Sequence, residues 1–344
     1  MAKRVFVGMS GGVDSSTAAA LLAEQGYSVT GVYMKNWSQD LPGMECPWRE
    51  DLADAKRVAV QLGIDFEVFD FQREYKQKVV DYMLDEYRAG RTPNPDIMCN
   101  QEVKFRLFLD AALERGADMI ATGHYARTAG GALKMAKDSA KDQTYFLYRT
   151  TKAALAKTLF PLGDYTKPEV RELAKARGLW TARKKESMGV CFVGNVGMRE
   201  FLSEYVAACP GDIVERETGK ILGRHDGAIF YTLGQRHGLE IGGGLPYYVV
   251  GKDMDKNEVY VSQNINDSSM WRTKIALGDV HWIGQAPAAS ETLRVRLRHR
   301  GELKPCRLRG RVLELDEPER AVAPGQSAVI YAGETCLGGG IVTE

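Results

Sequence analysis

The sequence predicts an α/β unit built on a doubly wound parallel sheet, followed by two smaller β units. Three observations carry that reading. The apolar run 4–9 turns at a glycine pair into an Ala/Leu-rich helix through Leu22. Strand and helix patterns then alternate to about residue 125, the pattern of a parallel sheet whose ligand crevice lies at the carboxyl ends of its strands. Beyond about Pro210 the chain becomes short β-prone runs divided by glycine-rich turns.

The first strand leads into Ser10-Gly11-Gly12-Val13-Asp14-Ser15-Ser16. Glycines let the backbone approach a ligand closely, and the following helix N-terminus offers unpaired N–H groups and a positive dipole end, which together suit phosphate. The lysine of the common phosphate loop is missing, so the loop suits a pyrophosphate leaving group better than a transferred γ-phosphate. Downstream, 27–35 reads as strand, 51–62 as helix, 65–71 as strand, 72–88 and 103–115 as helices, and 118–122 as strand. Between them, 36–50 reads as a long loop over the crevice, in which Cys46 is a packing residue or, alternatively, a reactive thiol.

Pro93 and Pro95 stiffen 91–100, a stretch that carries Asn94, Asp96 and Cys99. Cys99 falls before the helix expected from near Val103, where a thiolate is favoured. The alternative is a rigid connector whose Asp96 and Asn100 cap that helix. His124 sits at the carboxyl end of the last core strand, placed either for substrate contact or for packing. A hairpin over 128–137, the polar stretch 141–144 and a helix over 167–177 with Pro168 in its first turn follow. Cys191 lies among glycines and apolar residues after Arg183-Lys184-Lys185. That setting shelters a thiol while the lysines favour its anion; the alternative is a structural cysteine in a short buried strand.

In the β region, 247–250 and 258–262 read as strands, and a second β unit runs from about Trp271 onward. Within it Arg294, Arg296, Arg298 and Arg300, then Arg307, Arg309 and Arg311, alternate with mostly apolar residues. Period two puts them on one face of a hairpin. Across 294–311 eight Lys/Arg stand against the single acid Glu302, which points to a phosphate-tracking surface.

The 344 residues suffice for two or three domains, and a net charge of +1 gives no global field, so any basic surface is local. No apolar run approaches the ~20 residues of a membrane span. The start goes straight into a strand, so a cytoplasmic protein is expected. Six cysteines, at 46, 99, 191, 209, 306 and 336, form no Cys-x-x-Cys pair.

Taken together, the opening Gly8-Met9-Ser10-Gly11-Gly12-Val13-Asp14-Ser15, Thr92-Pro93-Asn94-Pro95-Asp96 with Cys99-Asn100, Lys104-Phe105, Ala121-Thr122-Gly123-His124-Tyr125, Gly189-Val190-Cys191-Phe192, Tyr231-Thr232-Leu233-Gly234-Gln235-Arg236 and Pro324-Gly325-Gln326 resemble the bacterial tRNA-specific 2-thiouridylase family. The loop alone resembles the PP-loop of ATP pyrophosphatases; the two cysteines in their contexts narrow the match. The resemblance implies a PP-loop catalytic domain over 1–205, a small β-rich domain over 206–270 and a tRNA-contacting β-barrel over 271–344. It further implies ATP held by Gly8, Met9, Ser10, Gly11, Gly12, Val13, Asp14 and Ser15 with Met34 and Gly123, and Mg²⁺ neutralising the pyrophosphate. Cys191 would carry a persulfide sulfur and Cys99 would be its partner thiol, closing a transient disulfide, with Asp96 orienting or deprotonating the base. Asn94, Pro95 and Asp96 would meet the target base, and His124, Lys141, Asp142, Gln143, Arg298, His299 and Gln326 the rest of the tRNA. A persulfide donor, a cysteine desulfurase or a sulfur-relay protein, is the further partner implied. Rival readings are an AMP-forming amidating ligase acting on a small metabolite and a non-catalytic, nucleotide-dependent RNA-binding module.

Overall fold

A computed structural model describes residues 2–40, 46–185, 197–242, 244–264, 266–288 and 292–343. Its first unit carries β1 (Arg4–Gly8), β2 (Ser28–Lys35), β3 (Asp65–Asp70), β4 (Met119–Thr122), β5 (Arg127–Ala129), β6 (Ala132–Lys134) and β7 (Thr158–Leu159). Five of these form a parallel sheet in the order β3-β2-β1-β4-β7. The alternation along β1 shows why the sheet is covered on both sides: Phe6 joins Val32, Phe69, Phe108 and Ile120 on one face, Val5 and Val7 join Val29 and Tyr33 on the other. Helices Val13–Glu24 and Trp48–Leu62 cover the second face.

Two helices differ from the sequence expectation. Gln72–Tyr75 continues through a π-helical stretch, Lys76–Val80, into Asp81–Arg88. The next helix starts at Pro95, well before Val103, and runs as Pro95–Met98, a π-helical stretch Cys99–Leu107, and Phe108–Glu114. Proline is favoured in the first turn because its fixed φ suits a helix and its missing N–H is not needed there. Cys99 is therefore inside the helix and only 2% exposed, not poised ahead of it.

The middle unit is a four-stranded sheet, ordered β10-β11-β8-β9, of β8 (Gly211–Glu215), β9 (Ile221–His225), β10 (Tyr248–Asp253) and β11 (Glu258–Ser262). Ile213, Val249, Val259 and Val261 form its core. The last unit holds β12 (Trp271–Trp282), β13 (Leu293–Arg296), β14 (Lys304–Arg309), β15 (Val312–Arg320), β16 (Ser327–Ala332) and β17 (Thr335–Val342). Because β12 pairs with both β15 and β17, these six strands close into a barrel around Ile275, Val295, Leu313 and Ile330. The β5–β6 hairpin of the first unit extends this same sheet, with Leu133 opposite Cys336. Among the described residues no helix is long and apolar enough to cross a membrane.

The uniform arginine face is corrected here. Leu293 and Val295 turn into the barrel and Arg294 and Arg296 away, as period two requires, but β13 ends at Arg296 and Arg300 sits in a turn at φ 60°. Arg296 is buried against the first unit. Four of the others meet acids that lie beyond the stretch counted: Arg298 and Lys304 pair with Glu319 at 3.1 and 2.9 Å, Arg307 with Asp316 at 3.7 Å, and Arg309 with Glu314 at 3.0 Å. Antiparallel pairing of β14 with β15 lays an acidic strand beside the basic one.

Candidate active site

The order of the parallel sheet reverses between β2-β1 and β1-β4, and a doubly wound sheet opens its crevice at such a point. The serine–glycine loop leaves β1 here. Gly11 takes φ +73°, and a Cβ on it would lie 2.3 Å from the Asp51 carbonyl oxygen, so only glycine fits. Gly12 caps the helix Val13–Glu24 without a side-chain hydrogen bond, which leaves the first-turn N–H groups to a ligand. The loop is braced internally: the Ser10 N–H donates to Ser15 Oγ at 3.1 Å, and the Ser16 hydroxyl donates to the Gly12 carbonyl at 2.8 Å. Ser10 is exposed, whereas Met9 and Val13 are core residues that can offer a ligand only their backbone. Met34 lies over Gly8 at the end of β2, and Gly123 follows β4 so closely that a Cβ would lie 2.7 Å from the Ser15 nitrogen. The residues expected around a nucleotide thus converge on one loop.

Sequence reasoning missed two members of this site. Lys167 Nζ reaches both Asp14 carboxylate oxygens at 2.7 Å, and the Tyr125 hydroxyl donates to Asp14 Oδ1 at 2.9 Å. Lys167 opens the helix Lys167–Ala176, where Thr166 and Glu169 form a reciprocal capping box. That box was the available signal: it fixes a helix start at this lysine. A cation from a distant segment thus pairs with the carboxylate of the loop.

The 91–100 stretch is held by all three units. The Thr92 N–H donates to the Pro324 carbonyl at 2.8 Å, the Gln326 side-chain amide donates to the Thr92 carbonyl at 2.8 Å, and the Thr92 and Thr232 hydroxyls are 3.1 Å apart. Motifs near 232 and 324–326 therefore pin the approach to Asn94, Pro95 and Asp96. Burial raises the Asp96 carboxyl, with the Lys104 charge opposing the rise. Burial and the same Lys104 charge hold His124 well below the usual imidazole range, so the ring is neutral. His124 shares a 2.8 Å hydrogen bond with Thr122 and packs on Phe105, with ring centroids 5.7 Å apart. Lys104 thus links Asp96, by its charge, to His124, which adjoins the nucleotide loop through Gly123.

The remaining expected RNA contacts sit along the seam between the first unit and the barrel. Gln143 accepts from the Tyr125 N–H at 2.9 Å. Lys141 is half-buried, and His299 packs on Phe146 at 4.4 Å. Asp142 has a fully buried side chain, bound to Arg296 at 3.0 Å and to the Thr144 hydroxyl at 2.9 and 2.7 Å, so its carboxylate does not reach RNA. Cys191 lies outside the described residues. Lys184, expected to favour its anion, is taken by Asp51 at 2.8 Å and Asp54 at 2.6 Å, which cancels that charge. Cys46 is buried, its N–H bound to Asp40 and its thiol pushed up by burial.

Three family models match in succession: a tRNA methyl transferase HUP domain over 3–195, a tRNA methyl transferase PRC-barrel domain over 199–263, and an aminomethyltransferase β-barrel domain over 272–342. The full-length relatives carry a different description from those models. The chain is 47% identical to the tRNA-specific 2-thiouridylase MnmA of Bacillus subtilis (strain 168), over 99% of this chain and 95% of that one. It is likewise 47% identical to the enzyme of that name from Methylobacillus flagellatus, over 100% and 99%, and 48% identical to tRNA-specific 2-thiouridylase MnmA 2 of Geobacillus kaustophilus, over 99% and 95%. Identity at this level across whole chains outweighs the models' domain descriptions, and the chain belongs to the tRNA-specific 2-thiouridylase family.

Proposed function

We propose that this chain is an ATP-dependent tRNA sulfurtransferase, which adenylates O2 of the wobble uridine in tRNAs of the Lys, Glu and Gln type and replaces it with sulfur, releasing AMP and pyrophosphate. One observation carries the reading: Gly123 packs against the phosphate-suited loop, and His124 beside it packs on Phe105 of the helical stretch that carries Asp96 and Cys99. A metabolite ligase or a passive RNA-binding module needs no such link between the loop and a thiol.

The uracil carbonyl oxygen is a poor leaving group, and esterification by AMP makes it a good one. The loop N–H groups and Lys167 stabilise the pyrophosphate as it departs. Among the described residues no cluster of three or more His, Cys, Asp or Glu fits a metal. Mg²⁺ bound to the triphosphate oxygens would neutralise the charge that develops on pyrophosphate, and Asp14, which Lys167 holds at 2.7 Å, would be its protein ligand. Asn94, Pro95 and Asp96 present the flipped base. The Cys191 persulfide attacks C2 through its terminal sulfur and AMP leaves. The Cys99 thiolate then attacks the Cys191 sulfur, which frees the 2-thiouridine and leaves a disulfide that an external dithiol reduces. The sulfur comes from a cysteine desulfurase or a sulfur-relay protein, and the reaction runs in the cytoplasm.

The test is mass spectrometry of tRNA nucleosides after incubation of the enzyme with ATP, unmodified tRNA and a persulfide donor. We expect 2-thiouridine, with AMP and pyrophosphate formed only when tRNA is present. AMP formation with ammonia and a small acid in place of tRNA would favour a ligase, and RNA binding without AMP a passive module.

A further inference from the structure

The barrel carries a cavity that the reaction above does not use. About 260 Å³ in volume, it has Trp271, Arg298, Glu302, Lys304, Glu319 and Arg320 in its lining. Trp271 is 38% exposed although it lies in a strand, and it faces Arg320 directly in the β12–β15 register. Arg320 stacks on Tyr248 of the middle unit at 4.7 Å, yet its Nε and Nη2 are buried without an acceptor. No ion pair among the described residues answers its charge. Glu319 is already shared between Arg298 and Lys304. Three cations against two carboxylates leave the lining net positive, with an indole at its edge.

We propose that this cavity is a second RNA subsite, holding one nucleotide of the substrate tRNA other than the target uridine, its base on the Trp271 indole and its phosphate on Arg298 and Arg320. An aromatic face beside guanidinium groups is how proteins hold single nucleotides without reading their sequence. The volume, near the ~300 Å³ lower end of ligand clefts, fits one nucleotide and not two. Position supports RNA as the source. The residue after Arg298 is His299, whose ring packs on Phe146 and Tyr145 beside the 141–143 stretch, so one short loop joins the cavity to the seam where the tRNA contacts are expected. The subsite rests on the sulfurtransferase reading and extends it to how the tRNA body is gripped.

The test uses the full chain and an unmodified tRNA transcript. Trp271→Ala should weaken tRNA binding about tenfold, while Trp271→Phe retains most of the affinity. Arg320→Gln should lower the slope of log affinity against log salt by roughly 0.7 to 0.9, the loss of one phosphate contact, and Arg320→Lys should restore it. AMP formation at saturating tRNA stays at the wild-type rate in all four. tRNA should quench a tryptophan signal that Trp271→Phe removes. Wild-type affinity and salt slope in both Trp271→Ala and Arg320→Gln would overturn the subsite. So would quenching by free uridine or adenosine monophosphate with tRNA affinity unchanged, which would make the occupant a free nucleotide. A wild-type protein that neither binds nor thiolates tRNA would instead overturn the function on which the subsite rests.

Discussion

Replacing Arg296 by Met removes the guanidinium that pairs with the Asp142 carboxylate. The two side chains are 7% and 0% exposed and meet at 3.0 Å. Severing such a pair from one side costs about 3–5 kcal/mol, because the remaining charge is left buried. Asp142 keeps the Thr144 hydroxyl at 2.7 Å and the backbone N–H groups of Ala136 and Thr144 at 3.3 Å, which places the loss near the lower end, about 3 kcal/mol. At roughly 2–4 °C per kcal/mol, the first calorimetric transition should fall by about 6–12 °C. Asp142→Asn should do similar damage, and Arg296→Met with Asp142→Leu should recover part of it, since neither variant group then needs a counter-charge. Below the transition tRNA affinity should stay within about threefold of wild type, because neither side chain reaches solvent. An Arg296→Met protein that melts within about 2 °C of wild type yet loses tRNA binding would refute this reasoning and return both residues to an RNA-facing role.

The other expectations concern the chemistry. Asp14→Ala and Lys167→Met should each cut AMP formation by about 100-fold or more while tRNA binding stays within a few-fold, and AMP formation within tenfold of wild type would remove that residue from the phosphate site. Cys99→Ser and Cys191→Ser should both release some pyrophosphate and make no 2-thiouridine, but only Cys191→Ser should fail to accumulate bound persulfide; peptide mapping that finds the sulfur on Cys99 or Cys46 reverses the roles. Burial raises the Asp96 carboxyl, so its active anion is lost on acidification sooner than an exposed carboxylate near ~3.9, and the acid limb of thiolation should lie above that value. Asp96→Asn should abolish the limb with the activity, whereas a limb unmoved in an active Asp96→Asn enzyme assigns it elsewhere. The His124 ring protons should not titrate by NMR between about pH 8 and 6, since burial and Lys104 keep the imidazole neutral.

What was legible in the sequence was local. The strand, glycine loop and helix of 4–24 announce themselves because period and turn chemistry are written in neighbouring residues. The β-rich character beyond 210 was equally plain. Pro95 misled because proline reads as a helix breaker when its other role is to begin one, and that moved Cys99 from a loop into a helix. Lys167 was invisible as a partner of Asp14, 153 residues away, because no local pattern records which helix start faces which loop. The arginine strip failed for a related reason: its counter-charges Glu314, Asp316 and Glu319 lie in the next strand, β15, which only the folded barrel brings alongside.

The β5–β6 hairpin has a consequence in time. Lys134 pairs with Thr335, so an edge of the catalytic unit is completed by a strand about 200 residues further along the chain. At the ~5–20 residues per second of synthesis, that edge waits roughly 10–40 s for its partner. During the wait its unpaired N–H and C=O groups are open to any passing strand. The hairpin edge of a nascent chain is thus unpaired until β17 of the barrel has been made, so the first unit is joined to the barrel only late in synthesis.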